Sequence, residues 1–147
     1  AGAGMVVGNL VGGYISDKMS PEKTCILFLS LMMIALVSVF LLSEHRVISL
    51  VLTFICGALS MSVSAPINIM MMKAAPKSEM MAAAFMQAAF NIANAMGAFL
   101  GGIPLEYDFP YNYPSLVGVG MTGIGLMISI RYLFLYRNGK TKALILK

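Results

Sequence analysis

Met80–Gly102 reads MMAAAFMQAAFNIANAMGAFLGG, 23 consecutive residues without a charged side chain. About 20 mainly apolar residues in an α-helix cross the hydrocarbon core of a bilayer. The stretch therefore predicts a transmembrane helix, and its charge-free run extends to Leu105. Further uncharged runs cover Ala1–Ser16, Thr24–Ser43, Val47–Met72 and Phe109–Ile130. Four of the five runs are long enough to span, whereas the first has only 16 residues and reads as the C-terminal part of a crossing that begins upstream. The expectation is an all-α membrane bundle over residues 1–137, with crossings near 1–16, 24–43, 47–72, 80–105 and 113–136, and a polar tail at 138–147.

Composition agrees. Of 147 residues, 59% are hydrophobic and 11% charged, against roughly 25% charged in a soluble domain, which excludes a soluble globular enzyme. The net charge of +4 rests on ten basic residues without a basic run, so a nucleic-acid partner is not expected. Lys and Arg concentrate in the cytoplasmic loops of membrane proteins. Taking alternate loops, Lys18, Lys23, Lys73, Lys77, Arg131, Arg137, Lys140, Lys142 and Lys147 share one side, with only Arg46 opposite. That places the basic loops and the C-terminus in the cytoplasm. The opposite side carries Glu44, Glu106, Asp108 and an interfacial aromatic cluster, Tyr107, Phe109, Tyr111 and Tyr113. The opening Ala1-Gly2-Ala3-Gly4 lacks methionine, a basic n-region and a cleavage pattern, so the first run is not a signal peptide.

The helices carry distinct faces. Gly4, Gly8 and Gly12 recur every fourth residue, the spacing that lets two backbones approach closely. Gly13 and Asp17 lie one turn apart at the end of this helix, where a carboxylate can face the positive N-terminus of another helix. At about 100° per residue, Gln87, Asn91 and Asn94 fall within an arc of about 60°. Ala89, Ala93, Gly97 and Gly101 form a small-residue stripe displaced from them. The amides either line a water-filled cavity or form an interhelical hydrogen-bond ladder. Ser60, Ser64 and Asn68 step by four along the third run, and Pro66 inside it predicts a kink, either static or a hinge.

Other chemistry finds little footing. Cys25 and Cys56 lie inside apolar runs and read as small core residues. The methionines Met70, Met71, Met72, Met80 and Met81 could offer soft ligands to copper(I), but they lack a supporting Cys or His pattern and read as gap-fillers. His45, the only histidine, reads as an interfacial loop residue. No metal site or cofactor is expected. No ionisable group lies deep in a crossing, although such groups mark proton and ion pathways. Paired intramembrane carboxylates, a Ser–His pair and a HExxH motif are all missing from the sequence, which removes the residues an intramembrane enzyme would need.

Gly8-Asn9-Leu10-Val11-Gly12-Gly13-Tyr14-Ile15-Ser16-Asp17-Lys18 resembles the glycine-rich signature of major facilitator superfamily transporters, Gly-x-x-x-Asp-Arg/Lys before a cytoplasmic loop. Gly13, Asp17, Lys18 and Lys23 match, while Ser20 replaces the usual second glycine and Pro21 and Glu22 follow it. Pro66-Ile67-Asn68, Ala75-Pro76 and the string from Ala89-Phe90-Asn91 through Gly97-Ala98 to Gly101-Gly102 resemble the arabinose-efflux-permease-like branch of the drug:proton antiporters. The resemblance implies helices eight to twelve, the first truncated, of a twelve-helix fold whose two halves work by alternating access. On that basis Gly13, Asp17 and Lys18 would form a conformational latch against the N-terminal half. Gln87, Asn91, Asn94 and Asn68 would lie near the cavity, with Gly4, Gly8, Gly12, Gly97 and Gly101 packing helices. The implied function is efflux of a sugar or small organic compound against protons, across a bacterial inner membrane. The alternative is a non-transporting membrane subunit whose small-residue faces assemble a larger complex.

Overall fold

The computed structural model describes residues 2–43, 46–75 and 77–145, without the side chains of Arg46, Tyr136 and 138–145. The expectations for Glu44, His45, Pro76 and the tail side chains lie outside the described residues. Five helices follow one another: α1 Gly2–Lys18, α2 Pro21–Leu42, α3 Arg46–Ala74, α4 Glu79–Glu106 and α5 Tyr113–Ile145. Four contain segments long and apolar enough to cross a membrane: Pro21–Leu42, Val47–Ala74, Glu79–Glu106 and Tyr113–Leu135. At 17 residues, α1 is about 25 Å long at about 1.5 Å per residue.

Local chemistry sets the helix ends. Ser20 is extended, with ψ 135°, before Pro21, because a proline disfavours helical backbone in the residue before it while fitting the first helical turn itself. The Thr24 amide and hydroxyl both donate to the Ser20 carbonyl, at 3.1 and 3.2 Å. Glu22, in the first turn and buried, sits where the helix dipole favours a carboxylate. α4 closes at Asp108, whose φ of 58° is left-handed, a conformation that Asp tolerates. The Phe109 amide then donates to the Pro104 carbonyl at 3.0 Å. Hydroxyls inside the helices bond back to their own backbone, as Ser30 does to Ile26, Thr53 to Ser49 and Ser129 to Gly125. In a medium without water, this satisfies them at little cost.

Packing is uneven. α1 lies on α3, α3 on α2, α2 on α5 and α5 on α4, while α3 and α4 touch lightly. The α1–α3 contact is parallel, since Gly4, Gly8 and Gly12 meet Phe54, Ala58 and Ser62 in that order. The α2–α5 contact is antiparallel: Leu36 covers Gly118, Cys25 Sγ lies 3.7 Å from Ser129 Oγ, and Asn112 Nδ2 donates to the Phe40 carbonyl at 3.1 Å. Phe40 meets Tyr113 edge-on at 5.8 Å, and Phe109 lies 5.0 Å from the same ring. The α1–α2 and α3–α4 connections thus share one end of the bundle. Few apolar side chains are buried, namely Pro21, Cys25, Phe28, Ala35, Pro66 and Ala82 among the described residues, while Leu10 and Phe99 are each 72% exposed. A bundle that exposes so much apolar surface is built for lipid or for a further apolar partner.

Candidate functional site

α4, like α5, is little enclosed. No residue in its most apolar window is buried. Gln87, Asn91 and Asn94 are all exposed on one face, and among the described residues none has a hydrogen-bond partner. The same holds for Asn68 on α3. Among the described residues, then, these amides form no interhelical ladder. An amide left in hydrocarbon without a partner costs several kcal/mol, so this face needs water or polar groups from outside the bundle.

A crevice of about 260 Å³ separates α3 from α4, lined by Ser60, Val63, Ser64 and Ile67 on one side and Met86, Ala89, Phe90 and Ala93 on the other. The Ser60 and Ser64 hydroxyls turn back to the carbonyls of Gly57 and Met61, at 2.9 and 2.7 Å. From the helical periodicity, the α4 wall of the crevice is rotated by about 120° from the amide face. The amides and the crevice are neighbours on α4, not one pocket. Beside the amides on the other flank runs an open apolar groove of about 600 Å³, bordered by Met80, Met81, Ala84, Phe85 and Ala88. In the small-residue stripe, a Cβ on Gly97 would meet nothing within 4 Å, and one on Gly101 would meet only Pro114, at 3.9 Å.

The three residues at the end of α1 face away from the bundle. A Cβ on Gly13 would meet nothing within 4 Å, and Asp17 and Lys18 are exposed. Lys18 Nζ lies 4.4 Å from the Tyr14 ring centroid, a cation–π contact one turn back on the same helix. Asp17 has no partner among the described residues, so it is available to a group beyond the chain. By contrast, Gly4, Gly8 and Gly12 are buried, and a Cβ on Gly8 would overlap the Ala58 backbone. Pro66 lies within an unbroken α3 and is fully buried.

Sequence reasoning passed over Ser62, which is 2% exposed and donates to the Gly8 carbonyl of α1 at 2.7 Å. The signal was present: Ala58, Ser62 and Pro66 step by four, in phase with Gly4, Gly8 and Gly12. It also passed over Asn112, which ties the α4–α5 connection to the end of α2.

The family model described as Major Facilitator Superfamily matches residues 1–144. The protein named "Putative transporter AraJ" of Escherichia coli K12 is 36% identical over 115 residues, 78% of this chain and 29% of AraJ. The inner membrane transport protein YdhP of Escherichia coli O157:H7 is 26% identical over 127 residues, 86% of this chain and 32% of YdhP. An uncharacterized transporter of the same superfamily, YfhI of Bacillus subtilis, is 28% identical over 129 residues, 87% of this chain and 32% of its own length. The chain thus spans about a third of the length of these relatives. No solved structure matches it.

Proposed function

The chain belongs to the major facilitator superfamily, a family of transporters and not of enzymes, and from that premise we propose that it forms helices eight to twelve of a secondary transporter working by alternating access. As a multi-pass integral membrane protein it meets the bilayer and a transported solute. The finer reading is export of a sugar or small organic compound in exchange for protons, across a bacterial inner membrane, with the C-terminus in the cytoplasm. The N-terminal half of the same transporter is the partner that faces α4, and it supplies the coupling carboxylate. Gln87, Asn91 and Asn94, with Asn68 on α3, line the aqueous path between the halves. Gly13, Asp17 and Lys18 latch one conformation, with the Asp17 carboxylate set against a helix N-terminus of the other half.

The observation that carries this reading is the face of α4 on which three amides are exposed and unpartnered among the described residues. Such a face is stable in a membrane only beside water or polar side chains. The experiment is reconstitution of the whole transporter into vesicles with an imposed pH gradient and a panel of neutral sugars and organic compounds. Gradient-dependent movement of at least one, weakened by Asn91→Ala, is the expected result. Failure to move any of the panel would sink the efflux reading and favour a non-transporting subunit.

A further inference from the structure

Ser62 stands at the centre of the α1–α3 contact, and its two polar groups do different things. Its hydroxyl lies 2.7 Å from the Gly8 carbonyl of α1 and 2.9 Å from the Ala58 carbonyl of its own helix, so a single proton is shared across the interface. Its carbonyl cannot receive the ordinary helical bond, because the residue four positions on is Pro66, which has no N–H. That oxygen faces α1, where a Cβ built on Gly12 would lie 2.6 Å from it; the Phe54 and Ala58 carbonyls face Gly4 and Gly8 in the same way, so what sets the Ser62 carbonyl apart is its missing helical donor. Only a glycine lets the Cα–H groups of α1 come this close to a free carbonyl.

A second observation is independent of the glycines. Ser16, one turn beyond Gly12 on the same stripe, is 5% exposed, and its Oγ has no hydrogen-bond partner. The register that sets Gly4 at Phe54, Gly8 at Ala58 and Gly12 at Ser62 carries Ser16 to the turn at Pro66, which is itself fully buried. By register, a buried donor lacking an acceptor thus comes to the turn of α3 where a carbonyl has lost its helical donor. Native interiors resolve such pairs with an ordered water or a direct bond.

We propose that Pro66 is an interhelical lock: it frees the Ser62 carbonyl from α3 so that this oxygen serves α1, through Gly12 and through a water shared with the Ser16 hydroxyl. The lock makes α1 and α3 one rigid unit. The Gly13, Asp17 and Lys18 end of α1 is then carried by α3, and any bending of the bundle falls elsewhere.

The test is a thermal-unfolding cycle on the detergent-solubilised whole protein, comparing wild type, Ser16→Ala, Pro66→Ala and the double variant, with Pro66→Val as a bulkier replacement that also restores the N–H. Ser16→Ala is expected to lower the midpoint of the whole protein by about 1–2 °C, and most of that loss should disappear once residue 66 regains its N–H and reclaims the Ser62 carbonyl. A midpoint unchanged or raised by Ser16→Ala would show a hydroxyl that bonds to nothing and would overturn the proposal. Equal losses in both backgrounds would overturn it too, as would a midpoint raised by Pro66→Ala, the mark of a simple hinge.

Discussion

Two glycine stripes with the same four-residue spacing meet opposite fates in this bundle. On α1, the stripe of Gly4, Gly8 and Gly12 is pressed so closely against α3 that an added Cβ would strike backbone at every step. On α4, Gly97 faces open space, and Gly101 has only the Pro114 ring at ordinary contact distance. Spacing alone does not distinguish them. The difference lies in what each helix meets: α3 presents Phe54, Ala58 and Ser62 in phase with the α1 glycines, whereas Ala89 and Ala93 of α4 line a crevice whose α3 wall mixes Ser60 and Ser64 with the larger Val63 and Ile67. In lipid, where apolar surface gains little from leaving the solvent, only close van der Waals fit and hydrogen bonds hold helices together. The α1–α3 face has both, while the α4–α3 face has neither in full. The first reads as a permanent joint of the bundle and the second as a boundary left free.

Four substitutions sharpen or break this contrast. Gly8→Val should have the largest effect, because the added Cβ overlaps the Ala58 backbone and cannot be relieved by turning a side chain. A loss of about 3 kcal/mol, at the upper end of overpacking costs, should appear as poor accumulation of folded protein and an early thermal transition. Normal melting would show that α1 and α3 are not locked. Asp17→Asn should leave insertion and melting unchanged yet slow transport by about tenfold, equivalent to about 1.4 kcal/mol, if α1 presents its free end to the other half. Undiminished rates in vesicles would reject the latch. Ser62→Ala removes a buried hydrogen bond between helices and should cost about 1 kcal/mol, read as a lowered melting midpoint. Gly97→Ala should lie within about 0.5 kcal/mol of wild type, since its methyl group meets nothing in the bundle. A large loss of stability on that change would mean that α4 is as tightly engaged as α1.

The number and kind of elements was legible because lipid leaves a coarse signature: the uncharged runs Thr24–Ser43 and Met80–Leu105 lie within or almost within α2 and α4. The helix ends drift outward where a charge is welcome, as Glu22 and Glu79 occupy first turns that a count of uncharged residues cuts away. Which glycine stripe would pack tightly was not legible, because that depends on the phase of a partner stripe on another helix. The amide face of α4 could be read from periodicity, but its lack of partners within the chain could not, since it depends on where α3 and α5 come to rest. Ser62 was hidden for a further reason: one serine among several on α3 becomes an interhelical donor only when Gly8 brings a carbonyl within 2.7 Å.

On the proposed function, the amide face of α4 looks into water and not into lipid or a sealed interface. Cysteine placed singly at Gln87, Asn91 and Asn94, in whole transporter with Cys25 and Cys56 replaced by alanine, can be challenged in intact membranes with a membrane-impermeant maleimide. Labelling at all three positions, with none at a cysteine replacing Ser62 in the α1–α3 joint, is the predicted result. Silence at all three amide positions in folded, inserted protein would contradict it.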